Sequence, residues 1–416
     1  MNKEFLNLIK LFSCGVQNKP LDSFSFDLKT VRRFAIEQNV WPAVFVSVKN
    51  FYNEGRCEIP TETFQKLNSG FIAKCVSQLN QTENIKNLLR ELKQNGVECV
   101  WLKGETLAKL YAYPETRTFG DADILVNPDD EQKALDFLKS KGFTVNHRTD
   151  SANHSECVSE KYGVIELHIS LYYRQMNEIW FNSEDMLKEP YIDCGDYKSL
   201  GFTDGFLFCF LHAVKHFLSN GLSLRQVIDV LLYIKNYNQR IDWERVLKIL
   251  GGLKYKDFLF SLIGIGVEYM GFSLEELLEC SWQNDHIELI LNDILECGNF
   301  GKNKHFGNDL YQAYSEKRYK ACKDEGYDEY VTRDRRKNAA KMVSFSPKNL
   351  RIHYSYAKKS NWLLPVAALN HIFFLFKKVI KKPQLLAETI SYKNAKKELS
   401  GSVRRKLETI QKLGMI

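Results

Sequence analysis

The sequence predicts an α+β protein: a small mixed β-sheet core preceded by a helical N-terminal region and followed by a helical C-terminal domain. Three observations predict it. Apolar residues recur at helical spacing through residues 1–80, short β-rich runs crowd into 81–200, and long helical patterns return over 201–297. The 416 residues, 44% hydrophobic and 26% charged, leave room for more than one domain and exclude global disorder.

In the N-terminal region Phe5, Leu8, Ile9 and Phe12 share one helical face, and Phe64, Leu67, Phe71 and Cys75 repeat the spacing. Gly96 ends the helix NIKNLLRELKQN and precedes VECVWL, a short β-rich run. A helix from Gly104 to Tyr111, a loop through Pro114 to Gly120 and a second strand, DADILV, follow. Pro128-Asp129-Asp130 opens the helix EQKALDFLKSK, which stops at Gly142 before the strand FTVNH. ECVSE and VIELHIS, separated by Lys161-Tyr162-Gly163, predict a hairpin. The helical domain reads FLFCFLHAVKHFLSN, LRQVIDVLLYIKNY, WERVLKILGG behind the cap Asp242, and KDFLFSLIGIGVEYMG. Residues 298–416 form a polar, aromatic and basic C-terminal segment.

Charge is unevenly placed. Of the net +7, residues 331–416 contribute +16, from twenty Lys and Arg against four Asp and Glu, so an acidic body carries a basic tail. The ten cysteines include no C-x-x-C pair and read as thiols of a reducing compartment; with no secretory signal in MNKEFLNLIKLFSCG, the cytoplasm is expected. Trp362 to Phe376, the most hydrophobic stretch, is broken by Pro365, Asn370 and His371 and falls short of the ~20 residues a spanning helix needs. Lys358 and Lys359 before it and Lys377, Lys378, Lys381 and Lys382 after it leave two readings: a helix at the anionic inner membrane surface, or one packed on the protein with its lysines in water.

The sharpest constellation is Asp121-Ala122-Asp123, at the start of a strand. Strand alternation projects both carboxylates to one side, where their repulsion is best relieved by a divalent cation. Glu166, inside the apolar strand VIELHIS, supplies a third acid, and three acids on adjacent strands would form a Mg²⁺ site. Lys103-Gly104 falls between a strand and a helix start, where backbone can approach a phosphate and lysine adds a point charge; Arg117, just before the acids, could grip phosphate oxygens or pair with Asp121. The spaced glycines of a Walker loop are absent.

With L-K-G-x-x-L-A-x-x-Y (Leu102 to Tyr111), Arg117, D-x-D-I-L-V (Asp121 to Val126) and I-E-L-H (Ile165 to His168), the chain resembles the nucleotidyltransferase-like proteins of bacterial biosynthetic clusters, a divergent branch of the DNA polymerase β-type nucleotidyltransferase superfamily. LHAVKHF and LRQVIDV look like the family's second block, with His212, Lys215, His216, Arg225 and Asp229 matching. The resemblance implies a nucleotidyltransferase core bearing the triad Asp121, Asp123 and Glu166, Mg²⁺ on those acids, and a nucleoside triphosphate as donor. Lys103-Gly104 stands where the superfamily carries Gly-Ser, which puts the phosphate grip in question. His212, Lys215 and His216, with Arg225 and Asp229, would line the cleft; alternatively Arg225 and Asp229, four apart, would form an intrahelical ion pair. His212 and His216 share a face as zinc ligands do, but Ala213 replaces the glutamate of H-E-x-x-H. His168 would contact substrate or hold Glu166.

The expected activity is Mg²⁺-dependent transfer of a nucleoside monophosphate to a hydroxyl or phosphate of a small molecule, glycan precursor or protein. The alternative is an inactive protein of the same fold, an accessory in surface-polysaccharide or peptide biosynthesis, associated with the membrane surface. Nucleic-acid binding ranks lowest, because the tail's charge is spread around an apolar block and no nucleic-acid-reading motif is present.

Overall fold

Apolar residues at helical spacing fold the chain's first part into α1 (Lys3–Gln17), α2 (Leu28–Glu37), α3 (Trp41–Asn53) and the long α4 (Thr61–Gln94). The computed structural model describes residues 2–22, 24–147, 154–171, 187–218, 221–298, 347, 350, 360–381, 405–406 and 408–415. Asn2 caps α1 by accepting from the Glu4 and Phe5 N–H groups, and Phe5, Leu8, Ile9 and Phe12 are buried. Along α4 Phe64, Leu67 and Phe71 are half-buried and Cys75 is buried, Ile72, Val76 and Leu79 are half-exposed, and Ile85, Leu88, Leu89 and Leu92 turn fully inward.

The core strands are β1 (Cys99–Trp101), β2 (Asp121–Val126), β3 (Thr144–Asn146), β4 (His154–Ser159), β5 (Gly163–His168), β6 (Ile192–Asp193) and β7 (Lys198–Ser199). They form one mixed sheet in the order β3-β4-β5-β2-β1-β7-β6. The hairpin expected around Lys161-Tyr162-Gly163 forms, pairing Ser159 with Gly163. β2 runs parallel to β5 and β1 to β7; the other neighbours are antiparallel. The two-residue strands β6 and β7 carry no readable alternation, and the sequence pattern missed them. Between the strands lie α5 (Glu105–Ala108), a single turn where a longer helix was expected, and α6 (Glu131–Ser140).

Period-two alternation gives the sheet two unlike faces. Cys99, Trp101, Ala122, Ile124, Val126, Cys157, Ile165 and Leu167 form the apolar face, packed with Leu88, Leu89 and Leu92 of α4 and Ala134, Leu135 and Leu138 of α6. Each large aliphatic side chain there contributes roughly 1.5–3 kcal/mol of burial. The alternate residues, among them Asp121, Asp123, Glu166 and His168, occupy the opposite face.

That opposite face meets the helical domain: α7 (Phe202–Leu218), α8 (Leu224–Tyr237), α9 (Trp243–Gly252), α10 (Lys256–Tyr269) and α11 (Asn284–Cys297). Helix α7 is apolar around most of its circumference because most of its side chains are buried. Ser223 starts α8 with its N–H donating to Gln226 Oε1 at 2.8 Å, and Asp242 caps α9 by accepting from the Arg245 N–H at 3.0 Å.

Met1–Gly307 with Thr409–Ile416 make one compact unit and Asn308–Glu408 a second. In the second, α12 (Leu364–Lys381) buries Ala367 beside Leu350 and exposes Val366, Leu369 and Ile372, with Trp362 just before it 90% exposed. No described helix is long and apolar enough to cross a membrane. Tyr354, Tyr356, Tyr392 and most of the basic tail lie outside the described residues. The described cysteines are free; Cys322 is not among the described residues.

Candidate active site

Strand register builds the site. Parallel pairing sets Asp123 beside Glu166 and Leu125 beside His168, while the β4–β5 hairpin sets His154 opposite His168. Residues in register on neighbouring strands share a face, and Asp121 joins them two positions before Asp123. The structure thus brings Asp121, Asp123, Glu166 and His168 together.

Asp123 is buried and fully engaged: Lys103 Nζ lies 2.9 Å from Oδ2, and His168 Nε2 lies 3.2 Å from Oδ1. Burial alone would raise its pKa, but the Lys103 ammonium and then the His168 hydrogen bond hold it well below the usual carboxylate range. Glu166, 3.4 Å from His168 Nε2, is likewise held low against burial. The two carboxylates in turn raise the His168 pKa, outweighing the burial that disfavours its charged ring. Asp121 differs. Among the described residues it has no hydrogen-bond or ion-pair partner, and burial and then the Asp123 charge push its pKa up.

A cationic wall from α7 and α8 faces the acids. His212, Lys215 and His216 are i, i+3 and i+4 on α7 and share one face. Lys103 Nζ is 2.8 Å from His212 Nε2, which is 3.2 Å from His216 Nε2. Burial, reinforced by Lys103 for His212 and by Lys215 for His216, holds both imidazoles well below their ordinary pKa and therefore neutral near pH 7. Burial also lowers Lys215 and, with Arg117 nearby, Arg225. Arg225 Nη1 donates to the Thr118 carbonyl, and its Nε is buried without a hydrogen-bond partner.

Arg117 and Asp229 are committed to each other instead of facing the cleft. The guanidinium donates from Nε (2.9 Å) and Nη2 (2.8 Å) to the two Asp229 oxygens, and Tyr111 Oη donates to Oδ1 at 2.9 Å. All three groups are buried. Neither alternative pairing expected from the sequence forms, since Asp121 is not Arg117's partner and Asp229 bonds Arg117 in place of its helix neighbour Arg225. Arg117 Nη1 also reaches the Gly104 carbonyl at 3.3 Å, tying the loop before β2 to α8 and to the end of β1. Gly104 is required by packing: its φ is +79°, and a Cβ there would sit 2.7 Å from the indole nitrogen of the fully buried Trp101.

No sequence pattern marks His154, and Tyr111 closes the L-K-G-x-x-L-A-x-x-Y motif without a role of its own. His154 could have been found by counting back along the hairpin, because a turn over 160–162 places residue 154 opposite 168. Tyr111 reads as one more buried aromatic until Asp229, 118 residues away, is seen to accept its hydrogen bond.

The family model described as uncharacterised nucleotidyltransferase matches residues 25–271, which spans α2 to α10 with the whole sheet between them. No curated protein and no solved structure matches the chain.

Proposed function

Since the chain belongs to the uncharacterised nucleotidyltransferase family, we propose that it transfers a nucleoside monophosphate from a nucleoside triphosphate to a hydroxyl or phosphate acceptor, with Asp121, Asp123 and Glu166 as its catalytic carboxylates. The observation that carries this reading is Asp121: a half-buried carboxylate whose side chain has no hydrogen-bond or ion-pair partner among the described residues, set beside two more acids and opposite Lys215 and Arg225. An all-oxygen donor set of this kind fits a hard divalent cation such as Mg²⁺. Held there, Mg²⁺ would neutralise the leaving pyrophosphate and lower the pKa of the acceptor oxygen.

The chain's own residues supply the rest. Lys215 and Arg225 neutralise triphosphate oxygens, with the neutral His212 and His216 lining the cleft beside them; a polyanion relieves the mutual repulsion that depresses this cluster. Lys103 fixes Asp123 through their 2.9 Å ion pair. The buried Arg117–Asp229–Tyr111 network positions β2 against α8 and contacts no nucleotide.

Calorimetric titration with each of the four NTPs tests this directly. Binding should require Mg²⁺ and weaken at least about tenfold in Asp121→Asn, a loss of roughly 1.4 kcal/mol. Failure of every NTP to bind with Mg²⁺ present would replace this reading with that of an inactive accessory protein.

The exposed apolar row Trp362, Val366, Leu369 and Ile372, flanked in sequence by lysines, supports peripheral contact with an anionic membrane surface. Co-sedimentation with phosphatidylserine vesicles should fall as salt rises and vanish on deletion from Val331. Equal sedimentation of the deleted chain would exclude this role.

A further inference from the structure

Next to the carboxylates lies a second group of donors with different chemistry. His154 Nε2 is 3.7 Å and His168 Nε2 3.4 Å from the same atom, Glu166 Oε2. Donor atoms of the three residues all fall within 4.8 Å of one another. The 3.4 Å contact is a long hydrogen bond, and His168 Nε2, which also donates to Asp123, gives up that proton when it takes an ion. The 3.4 and 3.7 Å separations lie near the roughly 3.0–3.4 Å expected between donors sharing one ion at ~2.1 Å.

We propose that His154, Glu166 and His168 form a binding site for a divalent transition-metal ion of the Zn²⁺ class, adjoining the carboxylate site and sharing Glu166 with it. Two paired strands hold all three residues, so the backbone presets the site: Glu166 and His168 alternate on β5, and hairpin register sets His154 opposite His168. The imidazole rings lie with centroids 4.9 Å apart and tilted by 40°, both edges converging near one carboxylate oxygen. The His168 side chain is 7% exposed, whereas those of His154 and Glu166 are 17% and 26% exposed, leaving a side from which a hydrated ion can enter.

Two imidazoles and one carboxylate are a borderline donor set. It selects Zn²⁺, Co²⁺ or Ni²⁺ over Mg²⁺, which prefers oxygen ligands and gives up its water reluctantly. Asp121 takes no part, so this site and the nucleotide site can fail independently.

The full-length chain, stripped of metal with a chelator, is titrated with Zn²⁺ by calorimetry and with Co²⁺ by visible absorption, both without nucleotide. One equivalent of Zn²⁺ should bind, and Co²⁺ should develop the intensified d–d bands of nitrogen coordination. His154→Ala should weaken Zn²⁺ binding by at least about tenfold. His154→Gln, which keeps the side chain's bulk, should do the same, while Asp121→Asn should leave Zn²⁺ affinity within about threefold. Unchanged Zn²⁺ affinity in both His154 variants, or loss of Zn²⁺ binding in Asp121→Asn alone, would overturn the assignment. Neither result bears on Mg²⁺-dependent NTP binding, which is read separately in the same variants.

Discussion

Asp123→Asn should lower nucleotidyl transfer about a hundredfold or more, because losing a carboxylate that would hold the metal neutralising transition-state charge costs about 3 kcal/mol. The substitution keeps shape and removes charge. It also replaces one of the two oxygens that Lys103 and His168 contact at 2.9 and 3.2 Å with an NH2 donor and removes the charge they share, so the local field turns more positive. Steady-state turnover at limiting Mg²⁺ measures the effect, and a circular dichroism melt confirms that the chain still folds. Wild-type turnover in this variant would remove Asp123 from the catalytic site. Lys103→Met offers an independent comparison: it spares all three acids yet releases Asp123 from its ion pair.

Asp229→Ala should destabilise the fold by about 3–5 kcal/mol, since removing one partner of a buried ion pair leaves an uncompensated charge in the interior. Arg117, buried and bidentate on Asp229, would lose two hydrogen bonds, and Tyr111 Oη would lose its acceptor. Nothing else among the described partners of Arg117 is anionic; Gly104 supplies only a carbonyl. Urea denaturation with an unchanged m-value would read the loss cleanly. The double change Arg117→Met with Asp229→Leu should recover much of it, because apolar groups of similar volume can replace a buried pair. A cost below about 1 kcal/mol for Asp229→Ala would show that the interior there is wet.

Local pattern carried most of the core. The strand DADILV spans the six residues expected, and the hairpin turns where Lys161-Tyr162-Gly163 placed it. α6, α7, α8 and α9 follow their apolar periodicities, with Asp242 capping α9 as its position indicated. Where the pattern was too short, it failed: β6 and β7 have two residues each, and α5 closes after a single turn. The reading of Gly104 as a phosphate-approach glycine missed its nearest neighbour, since no local rule reveals that the Trp101 indole fills the space a side chain would need.

Sequence alone determined which side chains share a strand or helix face, because alternation and helical spacing are properties of consecutive residues. It therefore grouped Asp121 with Asp123, Glu166 with His168, and His212 with Lys215 and His216. Only the tertiary structure decided how those groups pair. Lys103 meets His212 across 109 positions and Arg117 meets Asp229 across 112: the first gives a buried ammonium a neutral acceptor, the second gives a buried guanidinium its counter-charge once water is excluded. Arg117, which the sequence offers as a phosphate grip or a partner of Asp121, lies in an internal brace with Asp229, and His154, which no pattern marks, stands at the edge of the site. Burial makes such long-range pairings strong, and it exists only after the chain has folded.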